Sequence, residues 1–161
     1  MLEKNEIFMN DEYYIKIVND LAKESAKEGN SPFAAILVYN NKICHTSFEI
    51  SVKTSNPTLH AELNVIGEYC TKNKIMNLEG YTIYCNVEPC VMCSGAIHWS
   101  KISKVVYGMS QKSLNEISGG KQKPKCEDII NIGHKKIEII GPLSEEEGKR
   151  IFEEYPLVKY K

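Results

Sequence analysis

The sequence predicts an α/β layered domain, and two observations carry that expectation. Apolar runs of strand length take turns with segments of helical period along the chain. One of them, Phe33–Tyr39 (FAAILVY), is apolar almost without a break, as in a strand covered on both faces. Residues 11–28 read as the first helix, with Asp11 as the expected N-cap. Tyr14, Ile17, Val18, Leu21, Ala22 and Ser25 make its inward stripe, and Gly29-Asn30 ends it. Asn40-Asn41 is a tight turn between the Phe33–Tyr39 strand and a second strand over Lys42–Phe48. Asn56-Pro57-Thr58 breaks the chain before a helix from about Leu59 to Tyr69, with Leu59, Leu63, Ile66 and Cys70 inward.

Tyr81–Val87 is a third strand, Val91–Ser100 a helix, Ser103–Tyr107 a fourth strand and Ile137–Ile140 a fifth. Leu143–Tyr155 is a charged helix, for which Ser144 and Glu147 form a capping box. Its run Glu145–Glu147 is expected on a solvated face. Residues 108–135 give no clear pattern, although Cys126 suits the cap of a short helix.

The chain has 161 residues, which fits a single domain over 1–161. Hydrophobic residues at 42% and charged residues at 25% suit a soluble protein with a core of its own. The formal charge of −1 lacks the basic surplus of a polyanion binder, so nucleic acid is not the expected partner. The opening MLEKNEIFMNDEYY has no signal-peptide core, and no apolar run reaches the ~18 residues of a membrane span. A cytoplasmic setting is expected. There, six cysteines point to metal binding or catalysis before disulfides.

Two segments carry the chemistry. His60-Ala61-Glu62 opens one predicted helix, and Pro89-Cys90-Val91-Met92-Cys93 joins a strand to another. Two thiolates on a turn entering a helix can reach one metal ion, and the helix N-terminus favours their charged form. A histidine at a second helix start supplies a third ligand. Three N/S ligands leave tetrahedral zinc an open position for water, whose pKa falls to about 7. The resulting hydroxide can attack an electron-poor ring carbon bearing an amino group. The reaction then needs a proton carrier that does not occupy the metal, and Glu62 stands two residues from His60. The motif pair, H-x-E with P-C-x-x-C, is a known signature of zinc deaminases. No second CxxC is present, against a zinc ribbon, and Pro89 occupies the place of the usual aromatic of a thioredoxin-like motif.

The chain resembles the cytidine/nucleoside deaminase superfamily, in the branch of guanine deaminases, tRNA adenosine deaminases and nucleoside deaminases. NPTLHAEL at 56–63 and VEPCVMCSGAIHWSKISKVVYG at 87–108 carry the resemblance, and looser similarity spans most of the chain. It implies a three-layer α/β/α sandwich around a five-stranded mixed sheet. It also implies a homodimer, zinc on His60, Cys90 and Cys93, and proton transfer by Glu62. His98-Trp99 resembles the guanine deaminase side, and the acidic SEEEGKRIFEE before PLVKYK suits a small soluble substrate. The expected substrate is thus a guanine-type base, a related amino-heterocycle or a nucleoside. A tRNA-editing adenosine deaminase is the second reading, and a non-catalytic zinc scaffold the rival of another class.

The family places an asparagine eleven residues before the histidine ligand; an ungapped match puts Glu49 there in this chain, and a one-residue gap would put Ile50 there instead. Asparagine donates and accepts, whereas a carboxylate only accepts. The family's guanine deaminases also carry an aspartate after the fourth strand, where this chain has Gly119-Gly120-Lys121. Glu49, Phe33, Ala61, His98 and Trp99 are the candidates for substrate contact. Trp99 suits packing on the sheet or a dimer interface better than contact with the base. His98 suits the pocket mouth or a hydrogen-bonded structural place. Tyr155, Tyr160 and the tail are candidates to close the pocket. His45 and His134 read as surface or strand residues, and Cys44, Cys70 and Cys85 as buried, inert thiols.

Overall fold

The computed structural model describes residues 9–133 and 136–159. His134 and Tyr160 lie outside the described residues. A five-stranded sheet runs in the order β2-β1-β3-β4-β5. β1 (Ala34–Tyr39) pairs antiparallel with both β2 (Lys42–Phe48) and β3 (Thr82–Val87). β4 (Lys104–Met109) pairs parallel with β3 on one side and with β5 (Glu138–Ile140) on the other. The mixed sheet follows from the connections. Asn40-Asn41, both at positive φ (49° and 58°), close a hairpin. A helix joins β3 to β4, as parallel strands require.

Side chains alternate across β1, and both faces are buried. Ala34, Ile36 and Val38 pack with Tyr14, Ile15, Val18 and Ala22 of α1 (Asp11–Lys27). Ala35 and Leu37 pack on the opposite side with α3 (Ala61–Asn73), α4 (Val91–Ser100) and α6 (Cys126–Ile130). A third cluster joins Val87 and Met109 at the strand ends to Leu114 of α5 (Gln111–Ser118) and to Ile151 and Phe152 of α7 (Glu145–Glu154). Helices thus cover both faces, in the expected three layers.

The structure moves several expectations by a residue or a helix face. The N-cap of α1 is Asn10, not Asp11. Its side chain accepts from the Tyr13 N–H at 2.9 Å, a bond of about 1 kcal/mol. Asp11 instead accepts from the Tyr84 hydroxyl and pairs with Lys104. The inward stripe of α1 includes Ile15 and Asn19, while Ile17 and Leu21 are only half-buried. Asn19 belongs inside because its amide donates to Ser144 Oγ at 3.2 Å. For the same reason Ser144 and Glu147 form no capping box. Ser144 makes no side-chain cap bond, and Glu147 pairs with Lys23 at 2.7 Å. Within Glu145–Glu147 only Glu146 is fully exposed, since Glu145 accepts from the Ser110 N–H.

The buried face of α3 is Ala61, Glu62, Asn64, Val65 and Ile66, and Leu59, Leu63 and Cys70 are half-buried. That helix begins two residues later than expected, behind the short α2 (Ser51–Thr54). Of the three thiols expected inside, Cys85 is buried and Cys44 and Cys70 are half-buried. Cys126 is the first residue of α6, whose N-cap is Lys125.

The topology gathers one set of loops at one sheet end. The end of β2, the start of β1 and the ends of β3 and β4 lie side by side, as the pairs Ala34↔Phe48 and Val87↔Met109 record. Asn86 ties them together: its Oδ1 accepts from Ala34 N–H and its Nδ2 donates to the Pro32 carbonyl. Gly108 is needed beside it, because a Cβ there would lie 2.8 Å from the Asn86 carbonyl oxygen.

Candidate active site

Both chemical motifs sit at helix starts on this sheet end. His60 is the N-cap of α3 and Cys90 the N-cap of α4. Neither side chain caps its own helix, which leaves both free for other partners. The loop before His60 is braced by three bonds. Ile50 N–H donates to the Leu59 carbonyl, and Asn64 Nδ2 donates to the carbonyls of Phe48 and Leu59. Only Glu88 and Pro89 separate Cys90 from the end of β3, so the sheet fixes its position.

The two elements bring three donor atoms together. Cys90 Sγ and Cys93 Sγ are 3.5 Å apart, and His60 Nδ1 lies 3.5 Å from the first and 3.7 Å from the second. All three fall within 4.8 Å of one another, a group that could hold one metal ion. One imidazole nitrogen and two sulfurs suit zinc. Glu62 is buried beside them, its Oε2 3.4 Å from Cys93 Sγ. The Cys93 side chain holds the Cys90 thiol down, at about 4, with His60 adding to the effect. Burial, and then the negative charge at Cys90, push the Glu62 carboxyl up to about 7.

His60, Glu62 and Cys90 line a cavity of about 210 Å³. Residues 9–109 of the chain match the family model described as the cytidine and deoxycytidylate deaminase zinc-binding region. This chain belongs to that deaminase family. A probable cytosine deaminase from Schizosaccharomyces pombe is 32% identical over 91% of this chain and 92% of its own length. A tRNA-specific adenosine deaminase from Buchnera aphidicola (subsp. Baizongia pistaciae) is 36% identical over 85% and 82%. Among solved structures, the guanine deaminase from Nitrosomonas europaea matches with a TM-score of 0.81 at 18% identity, covering 95% of this chain and 88% of that one. The Bacillus subtilis guanine deaminase gives 0.66 at 24% identity, over 94% and 99%. At these identities the structural likeness shows the fold. The chain is therefore a zinc-dependent deaminase, a hydrolase of C–N bonds.

The deaminase brings some expected substrate contacts to the cavity and leaves others out. Glu49 and Phe33 line it together with His60, Glu62 and Cys90. Ala61 is buried in the core among Val65 and Ile97 and does not line the cavity. His98 also lies outside it. Its Nδ1 is 3.0 Å from the Ile130 carbonyl, which fastens α4 to α6. Trp99 is 83% exposed, so it neither touches the cavity nor packs on the sheet. The helical period explains both. Cys93, Ser94, Ile97 and Ser100 turn inward on α4, which leaves Trp99 on the outer side.

The deaminase cavity also contains residues that sequence reasoning missed. Gln111, at the start of α5, lines it, with its Nε2 donating to the Glu88 carbonyl at 2.8 Å. Glu88 itself holds two helix starts, accepting from the N–H groups of Gln111 and Cys126 at 3.0 Å each. A signal for α5 was present: Ser110 before QKSLNEIS and Gly119 after it are start and stop residues. Leu157 and Val158 of the tail line the cavity, and Val158 N–H donates to Ser31 Oγ at 3.0 Å. Tyr155 does not line it. His45, on β2, faces Glu68 at 2.7 Å. No helix among the described residues is long and apolar enough to cross a membrane.

Proposed function

We infer that this deaminase acts on a small nucleobase-like amino-heterocycle, a guanine-type purine or a close relative, and releases ammonia. The observation that carries the reading is the size and lining of the cavity. About 210 Å³ falls below the ~300–1,000 Å³ of drug-sized sites, and the donors His60 and Cys90 stand in its wall beside Glu62. His60, Cys90 and Cys93 hold the zinc ion. Zinc, when bound, supplies a hydroxide nucleophile at neutral pH by lowering the pKa of its water to about 7. Glu62 passes protons to a ring nitrogen and then to the departing ammonia. Phe33 supplies an apolar wall for the ring. An ammonia-release screen over guanine, guanosine, adenine, adenosine, cytosine, cytidine and aminotriazines tests this. Turnover confined to adenosine-containing RNA would overturn it.

One observation favours a second reading, adenosine within tRNA. A wider cleft of about 800 Å³ adjoins the cavity across Gln111, and Lys112, Lys123 and Lys125 line it. Glu88, Glu116 and Glu127 line it too, so a phosphate backbone would be met by the three lysines and not by a uniformly positive groove. Salt-sensitive retention of tRNA by the purified protein supports that reading, and no retention at low salt removes it.

The tail acts as a cover over the cavity, since Leu157 packs against the Val87–Phe152 cluster and Val158 is tied to Ser31. Removing residues 156–161 is expected to raise KM several-fold with little change in zinc content. Steady-state kinetics check this, and an unchanged KM rules the cover out.

The partner surface is the outer side of α4, where Val91, Gly95 and Trp99 follow at four-residue steps. Val91 and Trp99 are exposed apolar residues, and Ile132 beyond α6 is another. A second copy of this chain is the proposed occupant, giving a homodimer. Trp99→Lys is expected to yield monomers in analytical ultracentrifugation. A wild-type protein that is already monomeric at tens of micromolar sinks the assignment.

A further inference from the structure

Two residues that line the cavity, Glu49 and Gln111, each carry a buried oxygen that has no hydrogen-bond partner among the described residues. Glu49 is buried between β2 and α2, and its Oε1 accepts from the Ser51 backbone N–H at 3.0 Å and from the Ser51 hydroxyl. Its other oxygen, Oε2, finds no hydrogen-bond partner among the described residues. Gln111 presents the same situation from another loop. Its amide orientation is set by the Glu88 carbonyl, which can only accept, so Nε2 faces that oxygen. Oε1 is then the free atom, and it too is buried without a partner among the described residues. A buried polar atom left unpaired costs about 1–3 kcal/mol, which is why few survive in folded proteins. Two on residues that line one small cavity, beside the His60–Cys90–Cys93 group, point to a ligand that pairs with them.

We propose that Glu49 and Gln111 form an acceptor pair that selects an unglycosylated amino-heterocycle, one that offers N–H donors to both. The chemistry excludes much else. A carboxylate oxygen and an amide oxygen cannot pair with ring nitrogens that carry lone pairs or with ring carbonyls. They pair with ring N–H or exocyclic amino groups. A free base keeps an N–H at the ring nitrogen that carries the sugar in a nucleoside. Glycosylation removes that donor and adds bulk to a cavity of about 210 Å³ with Leu157 and Val158 in its wall. The missing donor and the crowding therefore act in the same direction. This proposal rests on the deaminase reading of the site and narrows its substrate class to free bases.

The test separates recognition from turnover. Zinc-loaded Glu62→Gln protein, with its slowed chemistry, is titrated by calorimetry with 2,6-diaminopurine, its N9-methyl derivative and its riboside. The same panel is run for ammonia release on the wild type. The expected result is at least about tenfold weaker binding of both N9-substituted compounds than of the free base. Adding Glu49→Gln should reduce that discrimination to a few-fold, because an amide can turn an N–H toward the lone pair of a ring nitrogen, N3 or N7, near the substituted one. Gln111→Met should weaken the free base about tenfold while the melting temperature stays close to that of the parent. Equal binding of the base and its N9-methyl derivative overturns the proposal. So does full discrimination retained in Glu49→Gln. Ammonia from the riboside but not from the base also overturns it, and leaves the deaminase reading intact. Free-base binding with the expected discrimination, but no ammonia from any compound, upholds the acceptor pair and sinks the proposed turnover instead.

Discussion

Glu62→Gln is expected to keep its zinc and its fold and to lose about 10²–10⁴-fold in kcat. The amide has the shape of the carboxyl it replaces, so packing around the start of α3 changes little. It cannot take a proton from water or return one to a leaving amine. Glu62 is buried with its Oε2 3.4 Å from Cys93 Sγ, close to the donor group and outside the three donors. Glu62→Ala is expected to lose turnover to a similar extent, with some loss of stability from the cavity it leaves. Metal analysis and ammonia release on the same preparation separate the outcomes. Activity within tenfold of wild type in both variants, with zinc retained, would remove Glu62 from the proton path.

Cys90→Ala is expected to abolish zinc binding and much of the stability. Loss of a partner outside the ligand set costs roughly 10–100-fold in metal affinity, and loss of a ligand costs more. Cys90 is also the N-cap of α4 and its sulfur is 3.5 Å from both Cys93 Sγ and His60 Nδ1, so its removal leaves both without their common neighbour. Binding to the folded state stabilises by about 4 kcal/mol when zinc is at 1,000 times its Kd, and the variant forgoes that term. Thermal unfolding with and without added zinc checks this. Zinc should raise the melting temperature of the wild type and leave Cys90→Ala unchanged. An equal rise in both would place the metal elsewhere.

The parts of the site that were legible in the sequence are those whose signal is local. His60, Glu62, Cys90 and Cys93 each belong to a run of a few residues at a helix start, and spacing within such a run fixes which side chains can meet. Phe33 and Glu49 flank strands whose ends were readable, and both line the cavity. Ala61, His98 and Trp99 are different. Their neighbours along the chain are candidate site residues, but the period of the helix turns each of them away from the cavity. Gln111 was missed because its place depends on where β4 ends relative to β3. The Ser144–Glu147 pair matched a capping pattern, yet α1 supplied Asn19 and Lys23 as stronger partners.

The sequence by itself determined the five strands, most of the helices and the deaminase chemistry, and it singled out His60, Cys90 and Cys93 as candidate metal donors. Strand runs, turn residues and the spacing of donors around a helix start are short-range facts, set by backbone geometry and side-chain direction. The tertiary structure alone decided which loops share the sheet end. It thereby brought Glu49 and Gln111, each with an unpaired buried oxygen, to the lining of one cavity, brought Val158 back to Ser31 and left Trp99 on the outside. The physical reason is that pairing a buried polar atom depends on everything packed around it, and those neighbours come from residues far apart in the chain.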